Sequence, residues 1–538
     1  MKITEDFRKS MGWLHTWAGI AVSCFLFMVF WMGSLAVFDS EIDQWMKPEL
    51  RAAPTEASAS IDDIALPILQ GEANESPRFF MTMPRHRRPF YSVGWVNGDG
   101  EFERVQINPQ TGEKVTPTES FAGTSFFYPF HYSLHLPDGI GYWIVGFSSV
   151  AMLVLIVSGI FIHRKIIKDF FTFRPKKQLR RSTLDLHNLT SMIALPFHFI
   201  FPLTGLIIFF SIYLPWASAV PFQGDDQEKF AAMFGNAAVE ASGDPAPEIA
   251  SLQSYVDRAE AIWSVRNGEP AKVDLISIAL ANDANANITL RETFPSRAVS
   301  MSRNMTVFDA ASGDIISDAP AGPGRKTHAW LSGLHFIQFN SWSLRWLYFI
   351  AGLSGCVMIA SGLMFWMRAR IRKGVIEPRS VRVVRGLSIG SISGIILSSG
   401  AYLVTNRIMP AQYEGYLGLD RAYSEVVIFY LVWIASFIHA AIRGKAAWRE
   451  QAWAIAATAL AAVALNWITT GDHPVTAAAQ GLWQIASMDL VLIAGAFAAI
   501  YAARKLGAQQ PETGTDKAAA GAAGAAEPAM ADAAVPAE

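Results

Sequence analysis

The stretch "LDLHNLTSMIALPFHFIFPLTG" (184–205) puts His187 and His198 inside an otherwise apolar run. Ionisable side chains within a bilayer are costly and usually mark a functional path. Five more histidines sit in comparable places: His15 in "WLHTWAG", His131 and His135 in "FHYSLHLPDG", and His328 and His335 in "HAWLSGLHF". Two of the apolar runs repeat. "WLHTWAGIAVSCFLFMVFWMG" aligns with "DLHNLTSMIALPFHFIFPLTG", pairing His15 with His187, and each histidine is followed 18 residues later by a glycine, Gly33 or Gly205. Eighteen residues make five helical turns, so each histidine shares a face with its glycine. "SLHLPDGIGYWIVGFSSVAMLVLIVSGIFIHRK" aligns with "GLHFIQFNSWSLRWLYFIAGLSGCVMIASGLMFWMR", pairing His135 with His335 and Ser158-Gly159 with Ser361-Gly362. Two parallel copies imply a pseudo-two-fold axis along the membrane normal. Such an axis sets His15 opposite His187 and His135 opposite His335. Facing imidazoles are what axial ligation of a b-type haem requires, one nitrogen from each side of the iron. The expectation is therefore two haem b groups. No CxxCH occurs, so covalent attachment is not expected.

Other assignments of the histidines stay open. His198 follows His187 by 11 residues, about three turns and roughly 16 Å on the same face, and could meet an asymmetric inner haem or only hydrogen-bond within the bundle. The position aligned with it is Leu26, so the symmetric pairs are preferred. His131 and His135 are spaced i,i+4, and His328 and His335 i,i+7, so each pair could share a helical face. Four imidazoles converging there could hold Zn²⁺ or Cu²⁺. They could equally supply one haem pair plus two groups that handle protons. A lone histidine at a helix end is more often a polar cap, and His86, His163 and His473 carry no signal beyond that. Equivalence in the repeat is what distinguishes the others.

The elements that must position these groups are membrane spans. The chain has 538 residues, 51% hydrophobic and 17% charged, with a net charge of −2 that gives no argument for nucleic acid. Uncharged apolar runs long enough to cross a bilayer fall near 12–38, 140–163, 187–213, 343–367, 386–404, 425–442, 453–470 and 484–502. Cys24 and Cys356 both lie inside spans and provide neither a disulfide framework nor a thiolate metal site. Loops 163–181 and 368–385 are strongly basic, each with a single acid, which places them and both termini in the cytoplasm. Segments 39–138 and 214–340 are then outside. Both read as small α+β modules: helices at 61–70 and 252–263, and strands broken at "NGDG", "NPQTG" and "DAASGD", where Gly112 aligns with Gly313. Asp489 is an isolated acid within the last span. The tail 506–538, rich in Ala, Pro and Gly, has no apolar period and is expected to be disordered.

The "LH" pairs at His15, His187, His135 and His335, the "SG" pairs at 158–159 and 361–362, and the "NPQTGE" and "DAASGD" hairpins together resemble the PepSY-associated transmembrane family over about residues 8–370. The resemblance implies a mainly α-helical inner-membrane protein of bacteria tied to iron uptake. Its core would be a duplicated four-helix haem-binding bundle with two periplasmic PepSY-like modules. The domains would run 1–38, 39–138 (module one), 139–213, 214–340 (module two), 341–385, and 386–505, a four-helix extension that departs from the family core. Some members resemble haem-dependent reductases of ferric siderophores. Electrons would then pass from an unidentified cytoplasmic donor, through His15/His187 and His135/His335, to a periplasmic ferric chelate. The absence of a GxGxxG after a strand argues for a separate donor. An iron-chelate transporter and a non-enzymatic regulator or metal-binding protein are the rival readings. Neither of them explains the recurrence of histidine in both copies.

Overall fold

The computed structural model describes residues 4–52, 59–163, 174, 179–214, 241–246, 248–294, 299–318, 320–337, 341–371, 376–413, 415 and 418–507. The expected disordered tail and the start of the second outer segment, 215–240, lie outside them. The first span is helix α1, Glu5–Ala36, whose Thr4 cap accepts from the Phe7 N–H and whose first turn carries Glu5 and Asp6. Acids there complement the partial positive charge of the helix start. After α1 come the short helix α2, Asp39–Met46, and helix α3, Ile61–Gln70, in the first module. The chain re-enters the membrane domain earlier than the sequence suggested. A π-helical segment, Ala122–Phe127, leads into α4, Tyr128–Ser133, and only then into α5, Ile140–Ile162.

The third span is broken. Helices α6, Leu179–Ile193, and α7, Leu195–Ile208, meet with a bend of 66° around Ala194. Pro196 explains the break, because proline has no N–H for the i−4 carbonyl and its ring crowds that turn. Helix α8, Leu252–Asn267, belongs to the second module, and α9, Pro323–Phe336, leads back toward the membrane and to α10, Trp342–Arg370. Four further spans form the extension: α11, Arg379–Ile408, α12, Arg421–Arg443, α13, Ala447–Thr470, and α14, Trp483–Gly507. Among the described residues seven helices are long and apolar enough to cross a membrane, eight when the bent pair counts as one span. The protein is a multi-pass, mainly helical membrane protein.

The two modules share a single antiparallel sheet of order β4-β3-β2-β1-β5-β6-β7-β8. Module one supplies β1 (Arg78–Thr82), β2 (Tyr91–Val96), β3 (Phe102–Ile107) and β4 (Lys114–Val115). Module two supplies β5 (Val273–Ala279), β6 (Asn287–Glu292), β7 (Met305–Asp309) and β8 (Ile315–Ser317). The halves join where β1 pairs with β5, Phe79 opposite Ile278 and Met81 opposite Ile276. Both strands are the first of their copy, so an antiparallel seam is what a two-fold axis produces. Ile64 and Ile68 of α3 and Val256 and Trp263 of α8 bury one face of this sheet. Gly112 and Gly313 both adopt positive φ (70° and 75°) in the equivalent hairpins, where their N–H groups reach Asn108 O and Asp309 O. Only glycine takes that conformation without a steric cost.

Candidate functional site

His15 on α1 and His187 on α6 face each other with ring centroids 6.3 Å apart. Each is oriented from behind by the helix that follows it in its copy. His15 Nδ1 donates to Leu155 O at 3.0 Å on α5 and lies 3.1 Å from Ser158 Oγ, while His187 Nδ1 donates to Met358 O at 2.8 Å on α10. Glycine makes the approach possible. A Cβ at Gly159 would stand 3.3 Å from His15 Cε1, and one at Gly362 would stand 3.1 Å from His187 Nδ1. The "SG" pairs thus seat this histidine pair.

The second pair differs from the sequence expectation. His335 faces His131, centroid to centroid 5.9 Å, and not His135. His131 Nδ1 donates to Val29 O at 2.8 Å. His335 Nδ1 donates to Thr204 Oγ1 at 3.1 Å, with the Phe201 backbone also in reach. Val29 and Phe201 each lie 14 residues after their copy's first histidine, so the two contacts are equivalent. Gly33 and Gly205 seat this second pair, not the first: their Cβ positions would be 2.6 Å from His131 Cε1 and 3.2 Å from His335 Cε1. His135 is turned away because α4 ends at Leu134, where Leu134 and His135 both adopt positive φ (53° and 50°). Its ring stacks on Phe126 at 5.0 Å and its Nε2 donates to Phe126 O at 2.8 Å. The "SLH"/"GLH" similarity had set the alignment one helical turn out of register.

These separations test the haem expectation. With metal–nitrogen bonds of about 2.0 Å and ring centres about 1.1 Å behind the nitrogen, two axial imidazoles place their centroids about 6 Å apart. Both pairs fit. In all four rings Nδ1 is engaged, and no hydrogen bond among the described residues involves Nε2. A ligating histidine with its other nitrogen tied to a backbone carbonyl has its tautomer and orientation fixed.

The PepSY-associated TM region family matches residues 12–369, well over half of the chain. The chain belongs to that family. An uncharacterized protein of Pseudomonas aeruginosa, PA4219, is 25% identical over 280 residues, covering 50% of this chain and 69% of the relative. The PepSY-associated region ends before the last four spans, so the family core holds both histidine pairs.

The remaining histidines take other roles in this PepSY-associated protein. His198 is buried (1% exposed), with Nε2 3.2 Å from Ala351 O, Nδ1 without a partner, and its ring 5.9 Å from that of Phe30. His328 packs on Phe210 and lies 3.4 Å from Ser332 Oγ. The four outer histidines therefore do not converge, and no group of three or more metal-ligating side chains occurs among the described residues. Asp489 is not isolated: Trp45 Nε1 donates to it at 2.8 Å and Asn466 Nδ2 at 3.3 Å.

Next to the His131/His335 pair the bundle opens into a cavity of about 420 Å³ that runs up to the underside of the sheet. Leu26, Phe30, Met152, Phe201 and Tyr348 line its lower part. Arg85, Arg87, Arg88, Arg303 and Arg345 stand at its mouth. Sequence reading passed over these arginines, which lie in "PRHRRPF", "SRNMT" and the start of a span. Their only sequence signal is an unusual arginine density beside module strands.

Proposed function

We propose that the protein is a di-haem b-type oxidoreductase of a bacterial inner membrane that reduces a ferric chelate at its periplasmic face during iron uptake. The observation that carries this reading is the pair of centroid separations, 6.3 and 5.9 Å, repeated by an internal duplication and backed in each case by a bonded Nδ1. Bound haem would supply one-electron chemistry at each pair. In support of the orientation, loops 163–181 and 368–385 are strongly basic, each with a single acid, and short basic loops of that kind would be cytoplasmic.

The chain's own part is to hold and insulate. His15 with His187, and His131 with His335, would present Nε2 atoms from opposite helices at two depths. Along α1 the 14 residues from His15 to Val29 span about 21 Å, which sets those depths. Phe30, Phe201 and Tyr348 exclude water from the space beside the outer pair. Conversion of one Fe³⁺ to Fe²⁺ consumes one electron, supplied from a cytoplasmic donor. Chelators with hard oxygen donors hold the product ion less tightly, so reduction would release it.

The test is re-oxidation of the purified, dithionite-reduced and desalted protein by ferric chelates in a stopped-flow spectrometer, with a ferrous-specific dye present. Re-oxidation matched one-for-one by Fe²⁺ appearance is expected. A reduced protein that ferric chelates leave unchanged would overturn the reductase reading.

A further inference from the structure

The mouth of the outer cavity carries more positive charge than its neighbours neutralise. Arg85 and Arg303 share one carboxylate, that of Asp274, which is 1% exposed and lies 2.8 Å from Arg303 Nη1. Arg87 lies 3.0 Å from Asp39 and 2.5 Å from Glu41, and Arg345 beside them donates to Val37 O at 3.1 Å. Arg88 donates to a hydroxyl, Ser40 Oγ, at 3.2 Å, and the carboxylate that feels its charge, Asp43, is not hydrogen-bonded to it. With Arg291 beside Arg303, six guanidiniums thus face four carboxylates, Asp39, Glu41, Asp43 and Asp274, an excess of two positive charges around this end of the cavity. Burial and the nearby Arg291 pull Arg303 down to about 9, as expected where cations crowd without enough anions. The Arg303 guanidinium is also held in place, 3.6 Å from the Phe294 ring centre. Preorganised, partly desolvated guanidiniums are suited to carboxylates, which they bind bidentately.

We propose that Arg85, Arg88 and Arg303 form a carboxylate-binding subsite at the mouth of this cavity. The charge excess also draws anions toward the cavity floor, where His131 and His335 sit. Carboxylates can reach the rim from two sources. One is an anionic ferric chelate of the polycarboxylate type docking from outside, which rests on the function proposed above and narrows its substrate class. The other is the acidic side chains of a tetrapyrrole held at the histidine pair.

Calorimetric titration of the intact, detergent-purified protein with ferric citrate, and with an uncharged ferric tris-hydroxamate, separates these sources. The variants are Arg88→Gln, which is exposed and bonded only to Ser40, and Arg303→Gln, which leaves Asp274 with Arg85. A charge-assisted hydrogen bond lost at the rim corresponds to about a ten-fold weakening. About ten-fold weaker ferric citrate binding in both variants, with tris-hydroxamate binding unchanged, assigns the subsite to the chelate. Unchanged citrate binding with altered midpoint potential or lowered content of one haem assigns it to the tetrapyrrole. If neither binding nor haem properties change in either variant, the subsite does not exist. The calorimetric readout needs no redox chemistry. A colourless protein that still binds citrate through Arg88 would keep the subsite and sink the reductase reading.

Discussion

Gly33→Ala offers a quantitative test of the outer histidine pair. The added Cβ would stand 2.6 Å from His131 Cε1 and 2.7 Å from Nδ1. Ordinary carbon–carbon contact is about 3.5–4.0 Å, so the ring must retreat by about 1 Å. It is held by the 2.8 Å bond to Val29 O and by its facing partner. Metal–nitrogen bonds tolerate about 0.2 Å of displacement, so axial ligation at this pair should fail. Overpacking costs about 1–3 kcal/mol, partly offset by the 0.5–1 kcal/mol (roughly) that alanine gains over glycine in a helix. The fold should therefore survive. Gly159→Ala is the control, because its Cβ would sit 3.3 Å from His15 Cε1 and requires only a few tenths of an ångström. The assay is the haem-to-protein ratio by pyridine haemochrome, with a thermal melt on each variant. Gly33→Ala should lose one haem of two and Gly159→Ala none. A Gly33→Ala protein with two haems and the parent spectrum would refute the steric argument.

Three other outcomes follow from the same contacts. Glu425 is fully buried and accepts from Arg421 at 2.6 Å, Asn406 at 2.8 Å and Ser120 at 2.5 Å, so Glu425→Ala strands a buried guanidinium and should cost about 3–5 kcal/mol. A melting temperature within a degree or two of the parent would contradict the importance of this network. Burial pushes the Asp43 carboxyl up to about 6, although it accepts from the Gly123 and Thr124 N–H groups. The folded protein then keeps a proton that the unfolded chain releases above about pH 4, so stability through this group rises as pH falls from 7 toward 4, by an amount on the order of 2 kcal/mol. Asp43→Asn should flatten that part of the melting profile, and an unaltered profile would remove the assignment. Gly313→Ala, at φ 75°, should destabilise the sheet by about 1 kcal/mol in a chemical melt, and an equal or higher midpoint would show that the hairpin relaxes.

Much of this arrangement is legible in the residues themselves. Apolar runs mark the spans, and Gly112 and Gly313 mark equivalent hairpins because a positive φ leaves a residue-level trace. The His15/His187 pairing follows from a gap-free alignment of two helices. What the sequence hides is non-local or set by backbone handedness. Strand β1 lies in "RFFMTMPRHRRPF", where arginines blur the alternation, and its pairing with β5 joins residues nearly two hundred positions apart. His135 carries the more persuasive local match to His335, yet the left-handed turn at Leu134 sends it onto Phe126 and leaves His131 facing the partner. Gly33 and Gly205 were visible as a pair, but not the ring each of them accommodates.

The most direct measurement is the pyridine haemochrome of the protein purified from haem-replete cells, beside its single histidine-to-alanine variants. The account predicts about two b-type haems per chain. One should be lost in each of His15→Ala, His187→Ala, His131→Ala and His335→Ala, and none in His135→Ala. A colourless parent protein, or a His131→Ala variant that keeps both haems while His135→Ala loses one, would contradict it.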